Sequence, residues 1–576
     1  MPGTPGSEQV PRREPSSQQD VPRLECTGSN PVPRRLEYLG LALILILAAL
    51  LRFTALTSFP PGLNQDEAAN AWNAWCLLKT GHDQVGQPWP IFCFRALGEY
   101  RSALFLYVMM PFQVVGGLNV WTTRLPAACG GLVTVLPVWW VGRRLFGARV
   151  GLVTAALLAI DPTHIQMSRL GHEACLTPLL TLAPLAALIW AGFPLLDARP
   201  LSSPSPLRAA IAGVLIGICC YGYPAVRLYV PVFLLVCVLL TARCWWYLAG
   251  SPRGRRSIVL LCLGVALTFG PLAWQHVAHP ETIARRGDAT WVWRAGDPFV
   301  MRAAKVLERY VRHFDPQFLY LKGDAHEIVW TAATGYIPWP LVPLEIAGLV
   351  LLIRRWRSSA AARILLAGIL LYPVADCLNW HVSMHGLRSS PGLVPLLMLA
   401  ALGIVWLAGN FAHARQQAAL VAVTAALMLH FGLGFARYVG PQDMLVYFGT
   451  HGDLLAAHDF LAPRLKRGDK VIISDRNMNQ PYVVWLVADH YDPQRWFAEP
   501  REMQPESDWD RYTRFGDTYF LNERECAALV KSLHDNGHAD HVFLALRPGE
   551  ASSGTQIGEI AGPDNVPALC VYEAWL

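Results

Sequence analysis

Long apolar runs separated by short polar stretches dominate the chain from residue 39 to residue 437. An α-helix needs about 20 mostly apolar residues to cross the ~30 Å hydrocarbon core of a bilayer. Runs approaching that length fall at 39–56, 101–117, 120–142, 149–165, 174–193, 208–222, 225–242, 257–276, 337–353, 363–380, 388–408 and 418–437. Basic loops test the count, because Lys and Arg in short loops stay on the cytoplasmic side. The loops at 142–149 (GRRLFGAR), 197–208, 243–256 and 354–363 (RRWRSSAAAR) share a face with the basic N-terminal segment only if 101–117 does not cross. That run is therefore expected to lie on the outer surface as an interfacial helix. About eleven spans remain. The N-terminus is then cytoplasmic, and the noncytoplasmic face carries 57–118, 166–173, 221–224, 277–336, 381–387 and everything after 438.

Outside the runs the pattern changes twice. Residues 1–35 are rich in Pro, Ser, Gln and Arg without apolar periodicity, which predicts a disordered cytoplasmic tail. The first run follows Arg34 and Arg35 and lacks a small-residue cleavage site, so it reads as a retained anchor. Residues 36–438 form the membrane domain. From 439 to 576 short β-rich runs alternate with helical ones: strands are predicted at 471–474, 518–521, 541–546 and 568–573, and helices at 453–466 and 523–536. This segment is expected to be a soluble α/β domain. It holds no G-x-G-x-x-G, Walker or catalytic-serine signature, which points to an accessory or acceptor-positioning part.

Composition agrees with the membrane class. Of 576 residues 53% are hydrophobic and 16% charged, and the mean hydropathy is +0.30, too apolar for a surface that water must solvate. The formal charge of +6 is spread over short loops, so no patch of nucleic-acid size exists. The thirteen cysteines lie mostly in apolar runs and show no C-x-x-C or Cys/His zinc spacing. Cys76 with Cys93, and Cys526 with Cys570, fall outside the membrane where a disulfide is chemically open; free thiols are the favoured expectation.

The candidate chemistry gathers on the outer face. Residues 59–75 (FPPGLNQDEAANAWNAW) place the adjacent carboxylates Asp66 and Glu67 at the start of a helix. A cap explains one of them, and an ionisable group beside the membrane is a functional candidate. Residues 164–173 (HIQMSRLGHE) add Arg169, His172 and Glu173 in a short loop, for which a solvated turn is the alternative. Further candidates are 99–101, with Tyr100 and Arg101, Arg227 in YGYPAVRLY, and His381, His385 and Arg388 before the run at 388–408. Arg388 is placed where a lipid phosphate could lie or where its side chain could simply snorkel.

The Asp-Glu pair in the first outer loop, the outer amphipathic helix, RLP followed by GLVTVLPVWWVGRRLFGAR, and a second outer loop with Ser-Arg and an acid together resemble the GT-C glycosyltransferases. Within them the resemblance is to the protein O-mannosyltransferases and the bacterial lipid A aminoarabinose transferases, over about residues 36–440. It implies an α-helical polytopic GT-C fold in which Asp66 is the catalytic carboxylate and Glu173 the second-loop acid. Where the family often has Lys-Pro-Pro, this chain has Arg101, Ser102 and Ala103.

The resemblance implies transfer of a sugar from a polyprenyl-phosphate donor to a lipid, protein or glycan acceptor. Asp66 takes the acceptor proton as the acceptor attacks the anomeric carbon with inversion, and Glu67 or Glu173 orients the acceptor or Asp66. Arg101, Arg388, Arg227 and Arg169 are expected at the donor phosphate, and Tyr100, His172 and His385 at donor or acceptor. A divalent metal, Mg or Mn, is left open. A bacterial inner membrane fits the resemblance. The rivals are a lipid or solute transporter, which calls for internal repeats and mid-membrane charges, and a noncatalytic receptor, which leaves the acids without a task.

Overall fold

The computed structural model describes residues 32–195, 204–282, 291–294, 296–324, 335–379, 384–410, 414–439, 447, 449–505, 510–535, 540–550 and 552–576. Most of the expected tail, and His381, lie outside the described residues.

The apolar runs form helices. The first is α1 (Arg34–Phe53). After it come α2 (Gln65–Thr80), a hairpin of β1 (Cys93–Ala96) and β2 (Glu99–Ser102), and α3 (Leu104–Gly116). The bundle continues with α4 (Val120–Phe146), α5 (Ala148–Ile160), α6 (Pro162–Met167), α7 (Thr177–Ala191), α8 (Pro206–Cys219), α9 (Pro224–Leu240), α10 (Ala242–Gly250) and α11 (Pro252–Ala278). Beyond α12 (Phe299–Arg312) come α13 (Val342–Arg355), α14 (Ala360–Leu371), the single turn α15 (Gly386–Ser389), α16 (Leu393–Asn410) and α17 (Ala414–Val439).

Among the described residues five helices are long and apolar enough to cross a membrane, or six if the pair α9 and α10, bent by 77°, is one span. Of the other expected spans, 149–165, 208–222 and 363–380 correspond to shorter apolar helices, and within α17 the apolar described stretch is Val421–Ala436. At 1.5 Å per residue the 13 residues of α5 cover only about 20 Å of a ~30 Å core. Asp161 ends α5 and caps α6, its side chain accepting from His164 N, so one apolar run becomes two helices. The segment expected to lie on the surface splits as well. Arg101 and Ser102 belong to β2, and α3, interrupted by Pro111, packs on α2 and α4 while Val114 and Val115 face outward.

The C-terminal part is a seven-stranded mixed sheet in the order β4-β5-β6-β3-β7-β9-β8. The central strand β3 (Lys470–Ser474) runs parallel to β6 (Thr518–Leu521) and β7 (His541–Leu546). These are strands the sequence predicts, as is β9 (Pro567–Trp575) around its predicted core. The predicted helices appear as α18 (Gly452–Leu461) and α21 (Glu523–Asp535). Not predicted are β4 (Arg501–Pro505), β5 (Asp510–Phe515) and β8 (Thr555–Ala561), whose polar, solvent-facing positions carry no clean alternation, nor α19 (Pro481–Ala488) and α20 (Pro493–Ala498). Cys76, Cys93, Cys526 and Cys570 are free thiols.

One hydrophobic core joins this sheet to the first outer loop. Trp72 of α2, Phe94 of β1 and Leu106 of α3 share it with Tyr482, Trp485 and Trp496. Trp496 Nε1 donates to Gln84 O at 2.9 Å, and Arg95 pairs with Asp510 at 2.7 Å. Gly62, at φ 72°, passes so close to residue 450 that a Cβ there would run into the Thr450 carbonyl. The sheet thus presses on both α2 and the hairpin, the segments that hold Asp66 and Arg101.

Candidate active site

The site begins at a helix cap. Asn64 Oδ1 accepts from Asp66 N at 2.9 Å, and Glu67 Oε2 accepts from Asn64 N at 3.1 Å, a reciprocal capping box. This assigns the two adjacent carboxylates to different tasks. Glu67 also accepts from Arg124 Nε at 3.1 Å and from Gly171 N at 2.6 Å, and it is buried. Arg124 in turn donates to the carbonyls of Leu56, Pro60 and Gly62. Glu67 therefore ties the first outer loop to α4 and to the second outer loop, and its oxygens have no room for a substrate. Of the roles expected for Glu67, this bonding favours orienting the loop that carries Asp66.

Asp66 points elsewhere and keeps 32% of its side chain exposed. Its Oδ1 accepts from Arg101 Nη1 at 2.8 Å. Arg101 sits on β2, and its Nη2 donates to Glu173 Oε2 at 2.9 Å and Oε1 at 3.1 Å. One guanidinium thus bridges the two acids of separate loops, using the donor fork that Lys lacks. Asn70 completes the set: four residues after Asp66 it lies on the same helix face, and its Nδ2 donates to Glu173 Oε2 at 2.9 Å. Asn70 was not among the sequence candidates, although the i, i+4 spacing in DEAAN is a signal that could have found it.

His172 closes the cluster. Its Nδ1 accepts from Ala174 N at 2.9 Å, which turns Nε2 toward Asp66 Oδ2, 3.6 Å away. Burial works against a charge on this ring, but the neighbouring Glu173 and Asp66 outweigh it and raise its pKa above the ordinary value. Arg101 is desolvated too, yet Glu173 and Asp66 hold its proton more firmly than in water. The Tyr223 ring stands edge-on to His172 at 5.9 Å.

The remaining candidates separate by how many donors they have left. Arg169 has none: Nε, Nη1 and Nη2 together reach the carbonyls of Leu51, Arg52, Ala55 and Phe59. It anchors the end of α1, so the expected phosphate role does not fit it. Arg227 donates to Cys220 O and Ser102 Oγ and lies 3.0 Å from His276 Nε2. Arg388, on α15, is different. Its Nη1 makes no hydrogen bond among the described residues, and its ion-pair partner Asp376 Oδ1 is 3.7 Å off. Two buried carboxylates fix its segment, Asp376 accepting from His385 N at 3.2 Å and Asp324 from Gly386 N at 2.6 Å. The turn α15 packs against the 3-10 turn Glu173–Leu176. Strand alternation turns Tyr100 to the hairpin face opposite Arg101, so the structure does not bring it to the cluster.

Among the described residues no three His, Cys, Asp or Glu side chains gather as metal ligands. Between Asp66 and Glu173, where a divalent ion would be sought, stands the Arg101 guanidinium. The residues present do not fit a metal at this position unless Arg101 moves.

Comparisons with known proteins extend the picture. Residues 101–274 match the family model for dolichyl-phosphate-mannose-protein mannosyltransferase. Among solved structures, ArnT from Cupriavidus metallidurans bound to undecaprenyl phosphate is similar over 94% of this chain and 98% of that one, with 13% identity and a TM-score of 0.53. Its apo state gives a TM-score of 0.52 at 14% identity, over 94% of this chain and 98% of that one. The oligosaccharyltransferase AglB from Archaeoglobus fulgidus, in complex with an inhibitory peptide and a dolichol-phosphate, has 14% identity and a TM-score of 0.49 over 79% of this chain. The chain spans 64% of the length of that protein. No curated protein sequence matches.

Proposed function

We propose that the protein, whose fold resembles that of the GT-C glycosyltransferases of the protein O-mannosyltransferase and ArnT group, is a membrane glycosyltransferase that moves a sugar from a polyprenyl-phosphate donor to an acceptor on the noncytoplasmic face, with inversion. The observation that carries this reading is the contrast between Asp66 and its neighbours. Glu67 and Glu173 are buried and fully bonded, whereas Asp66 shares the same cation and stays one-third exposed. A carboxylate held in place yet reachable is what proton abstraction from an acceptor requires.

In the proposed step the acceptor hydroxyl or amine attacks the anomeric carbon and gives its proton to Asp66. The bond from that carbon to the phosphate oxygen breaks, and the polyprenyl phosphate leaves with the electron pair. Its charge makes it a good leaving group, so no facing acid is needed, unlike in a glycoside hydrolase. Arg101 and Glu173 act on Asp66: the guanidinium fixes the carboxylate, and Glu173 takes the other half of the fork, so two acids and one cation leave the exposed member negative. Arg388, whose Nη1 makes no hydrogen bond among the described residues, and Arg227 bind the departing phosphate. An apolar cleft between α4, α7, α9, α14 and α16 is lined by Leu182, Phe233, Pro391 and Met398. It lies three residues from Arg388 in sequence at Pro391 and suits part of a prenyl chain. The N-terminus is cytoplasmic in this reading, and the membrane is a bacterial inner membrane.

The test is sugar release from a panel of radiolabelled polyprenyl-phosphate monosaccharides by purified protein with acceptor extracts, comparing wild type with Asp66→Asn. Turnover with one donor that falls by ~100-fold or more in the variant, with donor binding retained, supports the reading. Equal turnover in the two proteins removes Asp66 from the chemistry.

A further inference from the structure

Helix α12 wears its apolar side outward. Steps of four, three and four residues put Val300, Ala304, Leu307 and Val311 on one face. Val300 is 77% exposed, Leu307 62% and Val311 57%, and Phe299 at the start of the helix is 84% exposed. Scattered surface leucines need no explanation, but a stripe running the length of a helix does. Left in water, it forfeits about 25 cal/mol for each Å² of apolar surface.

The polar side faces the protein. Arg309 Nη2 and His313 Nε2 reach Asp376 Oδ2 at 3.5 and 3.2 Å, and Tyr310 Oη donates to Leu370 O at 2.7 Å. Tyr372 Oη donates to His313 O at 2.6 Å. These contacts fasten α12 to the end of α14 that lies opposite the basic loop at 354–363, so the helix sits at the outer rim of the bundle. This polarity is the reverse of a helix on a water-soluble protein.

We propose that α12 lies in the outer headgroup layer of the membrane, its stripe resting on the acyl boundary. Two features select a bilayer over a protein partner. The stripe continues a lipid-facing surface: Leu370, whose carbonyl takes the Tyr310 bond, is itself 48% exposed on an apolar helix. The charges of the helix are also already paired, Lys305 with Asp297, Arg309 with Asp376 and Arg312 with Glu308, and the last pair, exposed beside the stripe, suits the headgroup layer. The consequence reaches the site, because Asp376, gripped by α12, also pairs with Arg388 and holds the His385 amide.

The experiment places an environment-sensitive fluorescent amino acid at 307, at 311 or at 305, one at a time, in the full chain reconstituted in nanodiscs. It reads emission and quenching by doxyl lipids and by aqueous iodide, and it is independent of any activity. At 307 and 311 the expected result is blue-shifted emission quenched by doxyl lipid, with weaker doxyl quenching at 305. Quenching by iodide instead, or by neither agent as under a protein partner, overturns the proposal. Position 300 repeats the test if a variant at 307 fails to fold.

Discussion

Arg101 Nη1 lies 2.8 Å from Asp66 Oδ1 while its Nη2 lies 2.9 Å from Glu173 Oε2, so one side chain on a short hairpin sets the distance between acids on two different loops. Arg101→Lys keeps the charge but cannot hold both contacts in one plane. The expected outcome is a kcat about 100-fold lower with little change in the KM for the donor. Arg101→Gln should be worse in both kcat and thermal stability, since Glu173 is then buried without a cation. Steady-state kinetics with a saturating acceptor make the comparison.

Glu67→Gln and Asp66→Asn should part company. The first leaves Arg124 buried without its counter-charge and is expected to cost about 3 kcal/mol, seen as a lower melting temperature, with near-normal turnover per folded molecule. The second should melt like wild type and fail to turn over. If Glu67→Gln proves stable but inactive, the division of labour drawn from the capping box is wrong.

The two arginines Arg388 and Arg169 offer a second contrast. Arg388→Ala is expected to raise the donor KM roughly 10- to 100-fold, the loss of about 1.5–3 kcal/mol from a charge-assisted phosphate contact, with the fold intact. Arg169→Ala strips the carbonyls at the end of α1 of their donors and should lower stability first. Donor titrations alongside melting curves separate the two effects.

A pH dependence is expected in the C-terminal sheet. His541 stands between Asp469 at 3.0 Å and Glu573 at 2.8 Å; burial opposes its charge, but these two acids raise its pKa above the ordinary value. A raised value in the folded state means the ring binds its proton more tightly there than in the unfolded chain. The stabilisation is therefore complete below the ordinary His value of about 6.5 and disappears as pH rises through the folded value. Melting of wild type and His541→Gln should differ at pH 5.5 and converge at alkaline pH.

Parts of this molecule are legible in one dimension because they depend only on local order. Apolar runs interrupted by basic loops mark a polytopic chain, since lipid and headgroup act on each segment as it stands. The strands β3, β6 and β7 read directly from short β-rich runs, being buried on both sides. Asp66 and Glu173 stand out as acids beside apolar segments, and the spacing to Asn70 was there to be read. Helix length was not: Asp161 breaks an apolar run by capping a new helix, which hydropathy alone does not register.

What the sequence determined by itself is the membrane class, the two-part plan and the short set of residues that could do chemistry. Through the family resemblance it already set Asp66 apart from Glu67, and it kept Arg169 and Arg388 together as candidates for the donor phosphate. Only tertiary structure shows how much of each group's hydrogen-bonding capacity is already used by atoms brought in from elsewhere. Arg124 reaches Glu67 across 57 residues and four carbonyls take Arg169, whereas Asp66 keeps an exposed edge and Arg388 Nη1 makes no hydrogen bond among the described residues.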